Sequence, residues 1–455
     1  VREQRIVTVA PSAQVSPPTT KHVVEASGKY LIPGLWDMHT HLFGVYVPGA
    51  PAVTFPLLIA NGVTGVREAG GFLDLQLAWR DEVTSGRVIG PRMVVSGQVL
   101  DGVPTAYLPV ATVVRTPAEA RNAVRSLKNR GAELVKAYEM LGADVYWAII
   151  DEAKRQHLPV FGHVPLTVDA GAASDSGVRS FEHGRNIEVA CARNADGLRA
   201  ARTKLLENGT ARIGYELRSE IHWLQRPVAL ATIDEARCAA LIGRLARNGT
   251  FQTPTLFESS REARRPDTLS RVREALRFIP GSVRAEWEAW SRGRDRYTEA
   301  QVSARVAHAA WLFRLARQMR DAGVPLLAAT DLGVPYMVPG LSLHEDLALL
   351  VEAGLTPAEA LQTATWNPAR YLDAIDRQGA VRPGYLADLV LLDGDPLADI
   401  ANTRRIRAVV ADGRYLDRES LDRMLAMAEQ AAASGDADKP RRPNPPTDRT
   451  VGGER

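Results

Sequence analysis

The sequence predicts an α/β protein, a (β/α)8 TIM barrel with a small β-sandwich domain built from both chain ends, and three observations predict it. From Leu31 onward, short apolar segments alternate with longer helical patterns, which is how a parallel sheet with crossover helices is written. Eight such segments read as strands, namely residues 34–41, 63–67, 92–96, 134–138, 159–163, 180–183, 251–254 and 325–331. Eight strand and helix units suit the length of the chain. At both chain ends the pattern changes to short strand-like runs, joined near the C-terminus by tight turns.

Each element has its own justification. Residues 116–130 carry proline at the second position followed by alanine, arginine and leucine, a helix opening with a rigid first turn. Residues 184–247 and 257–318 are too long for simple crossovers and are rich in arginine, glutamate and tryptophan. Insertions of that kind after barrel strands build walls and lids, or serve as packing helices or an oligomer contact. The strand-like runs 5–9 and 22–25 near the start, and 379–384, 387–392 and 407–413 near the end, form the small domain. The expected division is therefore residues 1–31 plus 373–416 for the β-domain and 32–372 for the barrel. Residues 417–455 form a short amphipathic helix passing into a proline-, glycine- and charge-rich tail, expected to be disordered.

Composition narrows the function classes. The chain has 455 residues, 45% of them apolar, enough for a substantial core. A net charge of +3 with 24% charged residues supplies no strong field to attract nucleic acid or an anionic membrane. Only seven of the 56 basic residues are lysines, so Lys136 inside an apolar strand calls for an explanation. Cys191 and Cys238 are the only cysteines and read as free buried thiols, a single bridge being the alternative. The chain starts at Val1 without a signal-peptide pattern, and no window approaches a membrane span of roughly 18 apolar residues. A soluble protein is expected, cytoplasmic by default, or periplasmic or secreted if the N-terminus is processed.

The chemistry is carried by ionisable residues at strand ends. His39 and His41 lie two apart on the first strand, so both point from one face and can grip one metal ion. Lys136 lies in the fourth strand, His163 ends the fifth, His183 the sixth and Asp331 the eighth. In a barrel these ends converge on one rim. A single buried histidine on an apolar strand is ordinarily a packing residue; four at strand ends are hard to attribute to packing.

On these residues the chain resembles the amidohydrolase superfamily, within it the imidazolonepropionase-like and prolidase-like metal-dependent hydrolases. The resemblance runs over nearly the whole chain. It is carried by GKYLIPGLWDMHTHL (residues 28–42), NGVTGVREAGG (61–71), ELVKAYEML (133–141), FGHVP (161–165), SFEHG (180–184), Thr330-Asp331, GLSLHEDL (340–347), AGLTPAEALQTATWNPARYL (353–372) and GYLADLVLLDGDPL (384–397). The resemblance implies that His39 and His41 bind the more buried of two divalent ions with Asp331, and that His163 and His183 bind the more exposed one, zinc being the expected metal. It also implies a carbon dioxide-derived carbamate on Lys136 bridging both. That role makes physical sense, because a free ammonium beside two dications is repelled, whereas a carbamate offers two anionic oxygens.

The implied reaction is hydrolysis of an amide or peptide bond in a small substrate, an N-acyl amino acid or dipeptide-like compound, by a hydroxide bridging the metals. Asp331 takes the proton of the nucleophile and delivers it to the leaving amine. Around this centre Arg185 and Arg67 are candidates to hold a substrate carboxylate, Arg67 having a salt bridge within the rim as its alternative. Tyr138, on the face of Lys136, is a candidate to hydrogen-bond an oxyanion. His344, in the loop expected after the eighth strand, either donates to Asp331 or to substrate, or ties that loop down. His22, His157, His222 and His308 fall outside the pattern and read as surface or packing residues.

Two departures narrow the resemblance. Peptidase-like relatives carry a tyrosine after the strand-five histidine, where this chain has Val164-Pro165, and the sequence before Arg5 is short for the family. The alternatives are a cyclic-amide or imidazolone hydrolase with one metal and an unmodified Lys136, and a catalytically silent scaffold, which the full set of ligands disfavours. The expected partners are a small amide substrate and further copies of the chain in a homo-oligomer.

Overall fold

The computed structural model describes residues 1–14, 23–43, 51–107, 110–294 and 297–434. Thirteen strands are present among them. β1 (Tyr30–Pro33), β11 (Leu389–Leu392), β12 (Ile406–Ala411) and β13 (Arg414–Asp417) form an antiparallel sheet in the order β1-β11-β12-β13. The remaining strands are β2 (Leu35–Thr40), β3 (Val63–Glu68), β4 (Arg92–Val95), β5 (Val99–Asp101), β6 (Ala111–Val113), β7 (Val135–Ala137), β8 (Val160–Gly162), β9 (Ser180–Glu182) and β10 (Phe251–Thr253). They form two parallel sheets, β2-β3-β4 and β10-β9-β8-β7-β5-β6.

All residues of β2, β3, β7, β8, β9 and β10 are buried, which explains why these strands read as runs rather than as alternating patterns. Two parallel strands, β5 and β6, escaped the sequence reading. The expected eighth strand is corrected: residues 325–331 form bridges rather than a regular strand. Gln252 and Leu326 bridge on one side and Thr40 and Leu332 on the other. Between them, the amide of Ala328 donates to the Thr363 carbonyl, and those of Ala329 and Thr330 donate to the carboxylates of Asp346 and Asp37. With those donors engaged elsewhere, no continuous ladder forms.

At the chain ends, Arg5 bridges Arg2 and Leu386 and Ile6 exchanges backbone hydrogen bonds with Gly384 and Tyr385, but the expected strand 5–9 does not form as a regular strand. Of the expected strand 22–25, His22 lies outside the described residues and residues 23–25 form no strand. The expected helix beyond Asp417 is Arg418–Ala433, capped by the Asp417 carboxylate accepting from the Ser420 amide; residues 435–455 lie outside the described region. No described helix is long and apolar enough to cross a membrane.

The two insertions fold as helices. The first comprises Ile187–Cys191, Ala195–Asn208, Gly214–Ala231 and Glu235–Asn248; the second includes Leu256–Ser259, Gly281–Arg294 and Glu299–Asp321. Cys191 and Cys238, expected as free thiols, are instead joined by a disulfide with Cα atoms 4.5 Å apart. It pins the short helix after β9 to Glu235–Asn248, and both sulfurs are buried. Residues 47 apart in sequence are brought face to face by helix packing that no spacing rule reveals.

Candidate metal centre

The side chains at the C-terminal ends of the parallel strands meet around Asp331. His41 Nε2 lies 3.2 Å from Asp331 Oδ1, His39 Nε2 3.5 Å from the same oxygen, and His183 Nε2 3.8 Å from Oδ2. Lys136 Nζ is 3.2 Å from His39 Nε2. The His163 ring stands 4.9 Å from that of His183, centroid to centroid. The fold reaches this arrangement by close backbone approach: at Gly162, before His163, a Cβ would lie 2.1 Å from the Ala137 carbonyl oxygen, so only glycine lets β8 sit so close to β7 and Lys136. His183 and Asp331 themselves have φ of 62° and 56°, left-handed values that disfavour side-chain-bearing residues and concentrate at functional sites.

Every imidazole is anchored at its outer nitrogen. His39 Nδ1 lies 2.6 Å from Glu182 Oε2, His41 Nδ1 2.9 Å from the Gly70 carbonyl, His163 Nδ1 2.7 Å from Glu139 Oε1, and His183 Nδ1 2.8 Å from Thr255 Oγ1. An Nδ1–H donating outward leaves an Nε2 lone pair facing inward, the tautomer a metal ligand needs. Burial pushes His39 and His183 well below the ordinary imidazole range and His163 down to about 3, so these rings are neutral at neutral pH. Burial also lowers Lys136 to about 7, giving its amine a neutral fraction where an exposed lysine has almost none. The donors thus fit divalent ions in type, protonation and orientation. His39, His41 and Asp331 form one compact trio.

A second compact trio contains His183, Asp331 and Glu258, the last of which sequence reasoning missed. Glu258 lies in the short helix after β10, at the start of the second insertion, and Arg261 Nη1 is 2.5 Å from its Oε1. Its position just beyond a strand end was the available signal. Sequence reasoning also read His222 as ordinary. It is buried, with Nε2 2.5 Å from Glu139 Oε2, so Glu139 holds His163 on one oxygen and an insertion histidine on the other. Burial works against the Glu139 charge, but His222, Arg218 and Arg185 overcome it and hold the carboxyl well below its usual range.

The substrate candidates separate by position. Tyr138 and Arg185 line the cavity of about 680 Å³ that opens over the donors, together with Arg218, Trp287 and Trp290 from the insertions. Tyr138 accepts a 2.8 Å hydrogen bond from Arg218 Nη1, and burial raises its phenol to about 12, keeping its own proton available for donation. Arg67 is not brought there. Its side chain is 0% exposed beneath the donors, donating to the Met38 carbonyl, Ser180 and Glu182, so the salt-bridge alternative describes its contacts. Nor is His344, which lies within the helix Leu341–Glu352 rather than in a loop, with Nε2 3.0 Å from the Asn61 carbonyl and Nδ1 2.9 Å from Thr403 Oγ1. Of the remaining histidines, His157 is exposed and His308 is buried.

Comparison with known proteins points to one family. Residues 306–416, which include Asp331, match the model of the amidohydrolase family. An imidazolonepropionase of Vibrio vulnificus is 34% identical over 105 residues, covering 21% of this chain and 25% of the relative. An adenine deaminase of Methanothrix thermoacetophila is 34% identical over 108 residues, covering 23% and 18%. The chain thus spans a quarter or less of the length of these curated relatives. Solved structures match far more of it. A bottromycin amidohydrolase has a TM-score of 0.70 at 27% identity, covering 91% of this chain and 84% of the other. A Xaa-Pro dipeptidase with bound methionine has a TM-score of 0.65 at 19% identity, covering 92% and 94%, a likeness of fold alone. Residues 306–416 of this chain therefore match the amidohydrolase family, and its fold is shared with amidohydrolases of known structure.

Proposed function

We propose that this protein is a binuclear metal-dependent amidohydrolase that cleaves the amide or peptide bond of a small substrate, an N-acyl amino acid or a dipeptide-like compound. The observation that carries the reading is the set of three imidazole Nε2 atoms 3.2–3.8 Å from the Asp331 carboxylate, each ring fixed at Nδ1 by a partner outside the site. His39, His41 and Asp331 would hold one divalent ion and His163 and His183 the other, with a carbamate on Lys136 as a further oxygen donor; zinc would suit such a nitrogen and oxygen donor set. The reading takes residues 32–372 as one (β/α)8 barrel, residues 1–31 with 373–416 as a β-sandwich domain beside it, and residues 417–455 as an appended helix and tail. Its support is the backbone bonding of the segment around Ala328 to both β2 and β10, and that of Glu133 to Val95 between β7 and β4.

When bound, the ions supply an acidified water and polarise the substrate carbonyl. The chain does the rest. Asp331 accepts the proton of the attacking water and returns it to the leaving nitrogen, which departs poorly as an anion. Tyr138, a protonated phenol held by Arg218, donates to the carbonyl oxygen as negative charge develops there. Tyr138 thereby takes up a task that Val164 in this chain has no polar atom to perform.

A single-metal hydrolase of cyclic amides is the second reading, favoured by His163 joining neither compact trio of donors. The test is to strip the protein with a chelator, verify metal loss by elemental analysis, and assay a panel of N-acyl amino acids and dipeptides. Activity is expected to vanish and to return with added zinc. Full activity in the verified metal-free protein contradicts both readings.

A further inference from the structure

Beside the cavity over the donors lies a second, smaller one of about 200 Å³, walled by the helices Gly214–Ala231, Leu256–Ser259 and Glu299–Asp321. His183, Arg185 and Arg218 line both, so the two share a wall at the metal donors themselves. Its lining is dominated by guanidinium groups, those of Arg185, Arg218, Arg226, Arg261 and Arg305, with aromatic rings between them and Glu258 as the one carboxylate in the lining.

Two of these cations keep buried donors unused, although Arg218 also donates through Nη1 to Tyr138 at 2.8 Å. Arg185 and Arg218 share a single nearby carboxylate, Glu139, at 3.7 Å and 3.5 Å, too far for a proper hydrogen bond, and Glu139 is already engaged by His163 and His222. The Nε atoms of both arginines are buried with no hydrogen-bond partner. So is Nε2 of His308, a residue only 8% exposed that lines the same cavity, while its ring stacks on Trp311. Buried donors left without acceptors are costly, and in a cavity beside a reaction centre they mark where an acceptor belongs. A carboxylate is the acceptor that fits, because a guanidinium offers it two parallel N–H donors and an imidazole can add a third.

We propose that this side cavity receives a second, distal carboxylate of the substrate, additional to any α-carboxylate, so that the enzyme acts on small amides with an acidic side chain or an acidic acyl end, with Arg185 and His308 as its receptors. This rests on the amide-hydrolase reading and specifies its substrate class. The acid can sit on the amine half, as in an acidic amino acid, or on the acyl half, as in a dicarboxylic acid amide.

Isothermal titration calorimetry of the metal-replete protein with two isosteric pairs separates these sources: L-glutamate against L-glutamine, and succinate against succinamate. The carboxylate member of one pair is expected to bind at least about ten-fold more tightly than its amide, as a charge-assisted bidentate contact requires. That preference is expected to fall below about two-fold in Arg185→Gln, where the fork of donors is gone. If Arg185→Gln does not fold, Arg185→Lys, which keeps the charge, is expected to weaken the favoured carboxylate by about three-fold. Equal affinity within both pairs, or a preference unchanged in the Arg185 variant, overturns the proposal. Cleavage of neutral amides such as N-acetyl-L-leucinamide as fast as acidic ones also overturns it and leaves the hydrolase reading standing. Arg185-dependent carboxylate binding by a metal-replete protein that cleaves no amide upholds the cavity's role and sinks the hydrolase reading alone.

Discussion

The Glu182 carboxylate stands 2.6 Å from Nδ1 of His39, a contact across 143 residues of sequence that fixes which nitrogen of the ring faces the metal centre. The same Oε2 accepts from Arg67 Nη2 at 2.8 Å, and Arg67 is fully buried, its guanidinium 4.3 Å from the centre of the Phe161 ring. One carboxylate thus orients a proposed metal ligand and neutralises a cation that has no route to water. Glu182→Gln is expected to destabilise the fold by about 3–5 kcal/mol, the cost of leaving a buried charge unpaired. Metal affinity should fall by about 10–100-fold through loss of the outer partner. Denaturant unfolding and competitive metal titration read the two effects separately, and a variant of unchanged stability and affinity would contradict this role.

Asp331 is the proposed proton carrier, so Asp331→Asn is expected to lower kcat by at least about 10²-fold, the usual scale for removing a general acid and base. Near-ultraviolet circular dichroism should be unaltered. A variant retaining more than a tenth of wild-type kcat would assign the proton transfer to another group.

The disulfide between Cys191 and Cys238 closes a loop over a sequence separation of 47. A chain-entropy account of a loop of that size gives roughly 4 kcal/mol of stabilisation. Unfolding measured with and without reductant should differ by a large part of that figure. Identical midpoints, with reduction verified by thiol counting, would mean that the helices pack equally well unbridged.

His344 supplies a pH dependence remote from the metal centre. Burial, with Arg404 nearby, lowers its imidazole from 6.5 to about 4 in the folded chain. The unfolded chain therefore binds a proton below pH 6.5 that the folded chain refuses until about pH 4, and stability falls on acidification across that window. The single-site contribution is about 3 kcal/mol at full extent. His344→Gln should reduce this slope by one proton's share, because the buried His39, His163, His183 and His222, lowered likewise, supply the rest. An unchanged slope between pH 6.5 and 4 would place the titration elsewhere.

What the sequence made legible, and what it hid, follows the range of the interactions. His39, His41, Lys136, His163, His183 and Asp331 could be grouped from sequence because each ends or lies within a strand-like segment, and parallel strands deliver their ends to one face. Strand β6 was missed because it is half-buried throughout and makes no apolar run. Segment 325–331 looked like a strand because it is apolar, yet its amides are engaged by Asp37, Asp346 and Thr363, partners that only the folded chain reveals. The links of Glu182 to His39, Glu139 to His222 and Cys191 to Cys238 join residues 47 to 143 positions apart, and the insertions that supply Glu258, Arg218 and His308 have no motif to mark them.

The central claim is a two-metal site bridged by Lys136, and counting metal ions per chain by elemental analysis in wild type and Lys136→Ala tests it most directly. The account predicts about two ions per wild-type chain, and at most one per Lys136→Ala chain with hydrolysis lost. One ion per wild-type chain, with hydrolysis surviving in Lys136→Ala, would contradict it.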